Sequence, residues 1–178
     1  MKYGTLAAAI GLCLLFMLGC GGGEVAPEKA KATLVNAQGQ KVGEAQLAET
    51  AHGVKINLKV ENLPLGVHAL HIHEKGDCHG PDFMSAGGHF NPFGKKHGLK
   101  NPEGPHAGDL PNLVVGEDGK ETLETIATLV TLKPGKNSLL QPGGTSLVIH
   151  AGPDDYMTDP AGNAGARIAC GLIVKQEK

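Results

Sequence analysis

From residue 32 onward, apolar and polar residues alternate along much of the chain. Successive side chains of a strand point to opposite faces, so this alternation predicts strands with one buried and one exposed face. The segment GVKINLKV, residues 53–60, shows the pattern most clearly. In all, the pattern predicts eight strands, at residues 32–35, 41–48, 53–60, 67–73, 112–115, 121–132, 145–150 and 168–174.

Two long stretches without periodicity interrupt these strands, at residues 74–111 and 151–166. Both are rich in Gly and Pro, and irregular loops of this length in a compact domain are usually functional. Aromatic residues are scarce and no long amphipathic helical pattern is evident. We therefore predict an all-β fold, an eight-stranded antiparallel Greek-key barrel or sandwich with two long functional loops.

The first 20 residues have the pattern of an export signal. Lys2 precedes an apolar run at residues 6–18, which is short for a transmembrane helix, and residues 17–20 (MLGC) resemble a bacterial lipobox. The sequence predicts a lipoprotein signal peptide at residues 1–19, and a lipidated Cys20 with a flexible tether at residues 20–30. Ordinary signal-peptidase cleavage nearby and an uncleaved anchor are the alternatives.

A single domain follows at residues 31–178, and we expect it outside the cytoplasm, lipid-anchored to a bacterial membrane at the cell surface or in the periplasm. Cys78 and Cys170 are the two cysteines of this domain. One pair in an exported protein predicts a disulfide, the alternative being two free thiols. The formal net charge of −2 gives no reason to expect a nucleic-acid partner.

The stretch from residue 68 to residue 109 concentrates side chains that bind metals. His71 and His73 are two apart on a predicted strand and therefore point to the same face. The further candidates in the first loop and at the end of a downstream strand are His89, His97, His106, Asp109 and His150. Imidazole and carboxylate are ligands that zinc and copper prefer, and the lack of sulfur disfavours a Cys-rich structural zinc site.

The motifs around these residues resemble the copper–zinc superoxide dismutase family. They are HIHE at 71–74, SAGGHFNP at 85–92, KHG at 96–98, HAGDL at 106–110, LVIH at 147–150 and GNAGARIACG at 162–171. The resemblance implies dismutation of superoxide to dioxygen and hydrogen peroxide, with copper and zinc as cofactors, protecting the exterior of the cell.

The resemblance also implies a role for each residue. Copper would be bound by His71, His73, His89 and His150, and zinc by His89, His97, His106 and Asp109. His89 would then bridge the two metals and transfer a proton. Arg167 would attract the anionic substrate, and Asp154 would hydrogen-bond both His71 and His97. His68 would be a structural, hydrogen-bonded histidine.

Two other functions are compatible with a cluster of this kind. A non-catalytic copper- or zinc-binding relative is the main alternative, but the presence of every implied copper ligand and of Arg167 argues against it. A zinc hydrolase is disfavoured because a zinc ion with four protein ligands has no open position for water. The sequence does not decide between a monomer and a dimer.

Overall fold

The computed structural model describes Met1 and residues 28–177, in which nine strands and one short 3-10 helix, Met84–Ala86, occur. The strands are β1 Lys29–Asn36, β2 Lys41–Thr50, β3 Gly53–Val60, β4 Gly66–His68, β5 Leu70–His73, β6 Leu113–Val115, β7 Glu121–Ala127, β8 Thr145–His150 and β9 Arg167–Lys175. Within this part of the chain, no helix has the length and apolar character needed to cross a bilayer.

Seven strands form one antiparallel sheet in the order β5-β8-β9-β1-β2-β3-β7, and β4 pairs with β6 in a two-stranded ribbon. Only Ala69 separates β4 from β5, and its main-chain N–H and C=O bond Gly152 and His150 rather than β6. At Ala69 the chain thus changes its pairing partner from β6 to β8. The ribbon therefore continues from β5, the edge strand of the large sheet. The prediction of an all-β antiparallel fold is confirmed, with nine strands in place of the eight predicted.

Most predicted strands lie where the alternation placed them, and β3 and β8 have the predicted bounds. The predicted strand at 67–73 is two strands because of the change of partner at Ala69. The prediction at 121–132 is too long, since β7 ends at Ala127. Beyond that point the carboxylate of Glu49 accepts hydrogen bonds from Thr131 Oγ1 at 2.8 Å and Leu132 N at 2.6 Å, so the segment folds away from the β3 ladder.

The main core fills the inside of the curled sheet with one face of each strand. Its fully buried large side chains include Leu34, Leu47, Ile56, Leu58, Leu70, Ile72, Leu147 and Ile149. In β5 and β8 every residue is buried, so these two strands are covered on both faces. A second, smaller cluster on the outer face, formed by Phe83, Ala86, Val148 and Cys170, shows that the first long loop provides part of this cover.

Candidate metal centre

Strand parity directs three candidate ligands to the outer face of the sheet. In β5, Leu70 and Ile72 belong to the main core, so His71 and His73 point the other way. In β8, Leu147 and Ile149 enter the core, so His150 points outward as well. Since β5 and β8 are paired with His71 opposite Val148, His150 lies diagonally across from His71 on the same surface.

The first long loop brings further ligands to this surface by pairing with the backbone of β5. Isolated bridges place His89 opposite His73 and Asp109 opposite His71. The main chain of Ile72 bonds Gly108 O and Phe90 N, each at 2.8 Å. A Cβ at Gly108 would collide with the carbonyl of Ile72, so this close approach of two backbones requires glycine.

Four histidines each keep one buried ring nitrogen that has no hydrogen-bond partner among the described residues: His71 Nδ1, His73 Nε2, His89 Nε2 and His150 Nε2. One ligand atom from each of these four residues lies within 4.8 Å of the others. A buried polar atom without a partner is costly, and four that converge are explained by an ion between them. Four nitrogen donors suit copper, so these residues fit that metal.

Hydrogen bonds at the opposite ring nitrogens fix which nitrogen is free. His73 Nδ1 donates to Gly87 O at 2.9 Å, and His150 Nδ1 donates to Gly165 O at 3.2 Å. His71 Nε2 donates to Asp154 Oδ2 at 2.9 Å. Each of these rings therefore presents a lone pair to the shared centre, which is the tautomer that a metal ligand needs.

Burial keeps the imidazoles of His73, His89 and His150 neutral in the metal-free protein. Desolvation lowers the pKa of His73 to about 2, that of His89 to about 4 and that of His150 to about 3, and neighbouring histidines lower each pKa further. A neutral imidazole is the form that binds a metal, so no proton competes for these nitrogens near neutral pH.

A second group of donors surrounds one oxygen of Asp109. Its Oδ1 lies 3.0 Å from His89 Nδ1, 3.1 Å from His97 Nδ1 and 3.5 Å from His106 Nδ1, and His106 Nδ1 is 3.4 Å from His89 Nδ1. Zinc binds nitrogen and oxygen at about 2.0–2.1 Å, and the edges of such a tetrahedron measure about 3.3–3.4 Å. The four atoms thus fit zinc in both chemistry and spacing.

The other oxygen of Asp109 is already satisfied by the loop backbone. Asp109 Oδ2 accepts hydrogen bonds from Gly98 N at 2.8 Å and from His106 N at 3.0 Å. Together with the histidine contacts, these bonds hold the pKa of Asp109 far below its usual range despite burial. The carboxylate is therefore anionic and directs only Oδ1 at the three imidazoles.

His97 shows that this second group requires a positive charge. Its Nε2 donates to Asp154 Oδ1 at 2.9 Å, so in the neutral ring Nδ1 is a lone pair facing the lone pairs of Asp109 Oδ1. Burial alone would lower the pKa of His97, but the carboxylates of Asp109 and Asp154 outweigh it and raise the pKa to about 9. In the metal-free protein a proton thus occupies the place where a cation would satisfy both atoms.

His71 is close to both groups. Ligand atoms of His71, His89, His97 and Asp109 also lie within 4.8 Å of one another. We nevertheless place His71 with the first group, because its free nitrogen is Nδ1 and its Nε2 is bonded to Asp154. His106 belongs to the second group because its Nδ1 approaches both His89 and Asp109.

The second long loop supplies the carboxylate that connects the two groups. Asp154 is 3% exposed and accepts from His71 through Oδ2 and from His97 through Oδ1. These bonds hold its pKa well below the usual value. Gly162 packs against this carboxylate so closely that a Cβ there would collide with Asp154 and His97.

Arg167 lies at the start of β9, beside the first group. Its Nη1 donates to Phe83 O and its Nη2 to Gly87 O, each at 2.6 Å. Gly87 O also accepts from His73, so one carbonyl connects Arg167 to a candidate copper ligand. The disulfide between Cys78 and Cys170, which the sequence predicts, is present and ties the loop that carries Phe83 to β9.

The structure thus brings every predicted ligand within the described residues to one surface. His68 has the structural role that the resemblance implies, with ring nitrogens 2.9 Å from Pro64 O and from His150 O. Cys20 and most of the predicted tether lie outside the described residues, so their roles stay predictions. Polar contacts of Asn112, Tyr156 and Asp159 also shape the site, but no periodicity or motif in the sequence singles these residues out.

The comparisons with known proteins agree with this geometry. The family model of copper/zinc superoxide dismutase matches residues 41–173. "Superoxide dismutase [Cu-Zn] 2" of Aquifex aeolicus is 58% identical over 147 residues, which are 82% of this chain and 86% of that protein. "Superoxide dismutase [Cu-Zn]" of Caulobacter vibrioides is 46% identical, over 81% of this chain and 84% of that protein.

Solved structures show the same fold. A superoxide dismutase-like protein from Bacillus subtilis aligns with a TM-score of 0.79 at 44% identity, covering 81% of this chain and 97% of that one. The Cu/Zn superoxide dismutase from Brucella abortus aligns with a TM-score of 0.68 at 32% identity, covering 83% and 100%. The chain belongs to the copper/zinc superoxide dismutase family.

Proposed function

We propose that the protein is a superoxide dismutase that converts two superoxide ions and two protons into dioxygen and hydrogen peroxide. The observation that supports this most is the convergence, beside the cation of Arg167, of four buried imidazole nitrogens that have no partner among residues 28–177. Superoxide is a small anion, and a redox metal next to a fixed positive charge is what its dismutation needs.

We assign copper to His71, His73, His89 and His150, and zinc to His89, His97, His106 and Asp109. The assignment is supported by the free nitrogens of the first group and by the tetrahedral spacing of the second. When bound, copper supplies one-electron redox chemistry, whereas zinc keeps its oxidation state and fixes the shared histidine.

Arg167 binds and orients the anion in this scheme. Two carbonyl oxygens hold its guanidinium, and no carboxylate among residues 28–177 forms a salt bridge with it, although Asp82 attracts it from further away. The groups that position Arg167 therefore do not neutralise its charge. A fixed, half-buried cation attracts an anion more strongly than a mobile surface lysine does.

His89 supplies a proton in this scheme. Its Nδ1 faces the zinc group and its Nε2 faces the copper group, so the ring can hold a proton at Nε2 while Nδ1 stays in place. The ring would take this proton from water whenever Nε2 is not holding copper, and would give it to the reduced oxygen species. With a second proton from water, this completes hydrogen peroxide. A non-catalytic relative is not favoured, since each residue that this chemistry needs is present.

The function is tested on the purified protein with one copper and one zinc per chain. We expect rapid catalysed decay of superoxide, and pulse radiolysis measures its rate. The protein loaded with zinc alone is the matched control and should leave the decay uncatalysed. Fully metallated protein without catalysed decay would falsify the proposed activity.

We also propose that the chain is a lipoprotein, with a signal peptide at residues 1–19, a lipid on Cys20 and a tether to residue 30, outside the cytoplasm. The disulfide and the bacterial relatives support a location beyond the cytoplasm. Cells fed an alkyne-labelled fatty acid should label the wild-type protein and not Cys20→Ala. Equal labelling, or wild-type protein entirely in the soluble fraction, contradicts the anchor.

A further inference from the structure

The side-chain amide of Asn112 holds the main chain of Asp154 on both sides. Asn112 Nδ2 donates to Asp154 O, and Asp154 N donates to Asn112 Oδ1, each at 2.9 Å. A planar amide offers a donor and an acceptor at a fixed separation, so this pair of bonds sets both the position and the orientation of Asp154. Asn112 follows Asp109 by three residues, just before β6.

Tyr156 closes a ring of hydrogen bonds with the same two residues. Its Oη accepts from Asn112 N at 2.8 Å, and its own N donates to Asp154 Oδ1 at 2.6 Å. The carboxylate oxygen that receives this bond is the one that also accepts from His97. The three residues thus form one closed unit around the bridging carboxylate.

Tyr156 adopts a backbone conformation that bulky residues avoid, with a φ of 65°. Its carbonyl accepts from Lys100 N at 3.1 Å, and Lys100 Nζ lies 5.3 Å from the centre of its ring. Gly98 also packs against its carbonyl so closely that no Cβ would fit. Such a conformation persists only where several contacts enforce it, and here the contacts come from the loop that carries His97.

We propose that Asn112 and Tyr156 are positioning residues for both metals, acting through Asp154. The inference rests on the proposed copper and zinc ligands. Because Asp154 binds His71 with one oxygen and His97 with the other, a small displacement of its backbone turns one ring of each metal group. Partners at the outer nitrogen of a ligating histidine set its orientation and its strength as a ligand.

The test is a double-mutant cycle between Asn112→Ala and Asp154→Asn on the metal-loaded protein. Zinc affinity is measured by competition with chelators of graded strength, so that tight and weak sites are placed on one scale. We expect Asn112→Ala to weaken zinc binding by about 10-fold, the lower end of the effect of a direct partner. In the Asp154→Asn background the same change should have no further effect.

Tyr156→Phe provides a second, gentler variant, since it removes only the hydroxyl and keeps the ring against Lys100. It should weaken zinc binding in the same direction and change the hyperfine splitting in the Cu(II) electron paramagnetic resonance spectrum, because His71 is turned as well. The control is Asn137→Ala, which removes a 2.8 Å bond to Leu129 O in a loop without candidate ligands. It should change neither measurement.

Two results would overturn the inference. One is an equal loss of zinc affinity from Asn112→Ala in both backgrounds, which assigns Asn112 a role independent of Asp154. The other is an unchanged zinc affinity and Cu(II) spectrum in both Asn112→Ala and Tyr156→Phe. Neither measurement uses superoxide, so failure here leaves the proposed activity standing, and a metallated but inactive protein would leave this inference standing.

Discussion

His89 Nδ1 lies 3.0 Å from Asp109 Oδ1, while His89 Nε2, on the opposite side of the ring, is buried and has no hydrogen-bond partner among residues 28–177. One ring therefore belongs to both donor groups. Its two nitrogens face two different centres, so the two centres are not independent. Loss of this ring should affect both, whereas loss of a ligand at the periphery should affect one.

Replacing His89 with Ala should lower both copper and zinc content, because one donor is lost from each group. The measurement is elemental analysis of protein loaded with both metals and then passed through a chelating column. His106→Ala is the matched control and should lose zinc while retaining copper. Full copper content in His89→Ala would show that the ring does not serve both sites.

Replacing Arg167 with Ala should slow the reaction with superoxide at low ionic strength by about 10-fold or more, because an electrostatic contact with the anion is lost. The difference from wild type should shrink as salt rises, since screening weakens attraction over a distance. Stopped-flow or pulse-radiolysis rates between low and high salt measure this effect.

The control for this change is Arg167→Lys, which keeps the charge but loses the two-pronged contact with Phe83 O and Gly87 O. We expect an intermediate rate with a salt dependence close to wild type. A slowing by the same factor at every salt concentration would argue against attraction as the role of Arg167.

Removing the disulfide should destabilise the protein strongly. Cys78 and Cys170 are 92 residues apart, and the chain-entropy account gives a loss of about 4–5 kcal/mol for a loop of that length. The double variant Cys78→Ser with Cys170→Ser should unfold at a lower denaturant concentration. Reductant should destabilise the wild type and leave the double variant unchanged; wild-type stability insensitive to reductant contradicts the prediction.

The metal-free protein should be most stable near neutral pH. On the acid side, His73, His89 and His150 have pKa values lowered to about 2, 4 and 3 in the folded state, against about 6.5 when unfolded. Below about pH 6.5 the unfolded chain binds more protons than the folded protein. The free energy of unfolding therefore decreases as the pH is lowered, by up to about 1.4 kcal/mol per pH unit for each group.

On the alkaline side the sign reverses. The pKa of His97 is raised to about 9, so the stability that this protonated ring contributes is present below about pH 6.5 and is lost as the pH rises through 9. Urea unfolding of the metal-free protein from pH 4 to 9 measures both sides. His73→Gln should flatten the acid side alone. Stability that rises on acidification below pH 6 would refute the assignment of neutral, buried rings.

Strand positions could be predicted well where one face meets the core and the other meets water. The clean alternation at residues 53–60 specifies β3, because each inward residue contributes to the same core. The end of β7 could not be predicted in this way. It depends on Glu49, which is distant in sequence and takes Thr131 and Leu132 out of the ladder.

In the candidate site, too, some residues could be predicted from the sequence and others could not. The H-x-H pair at His71 and His73 can be predicted from strand parity alone. The roles of Asn112 and Tyr156 could not, because they arise from main-chain contacts between two irregular loops. Side chains in such loops follow no period, so the sequence does not indicate what a polar residue there contacts in the folded protein.

The register of β1 against β9 has a consequence for how an anchored enzyme would meet its substrate. Lys31 lies opposite Val174 and Asn36 lies opposite Ala169, which is two residues from Arg167. At about 3.3 Å per residue, the start of β1 is then roughly 20 Å or more along the strand from the end that carries Arg167. If Cys20 is lipidated as proposed, the domain is attached to its lipid at the end where β1 begins. The entrance beside Arg167 would then lie at the far end of the strand from the attachment point, so that superoxide in the extracytoplasmic space could reach the metals without passing between the domain and the membrane.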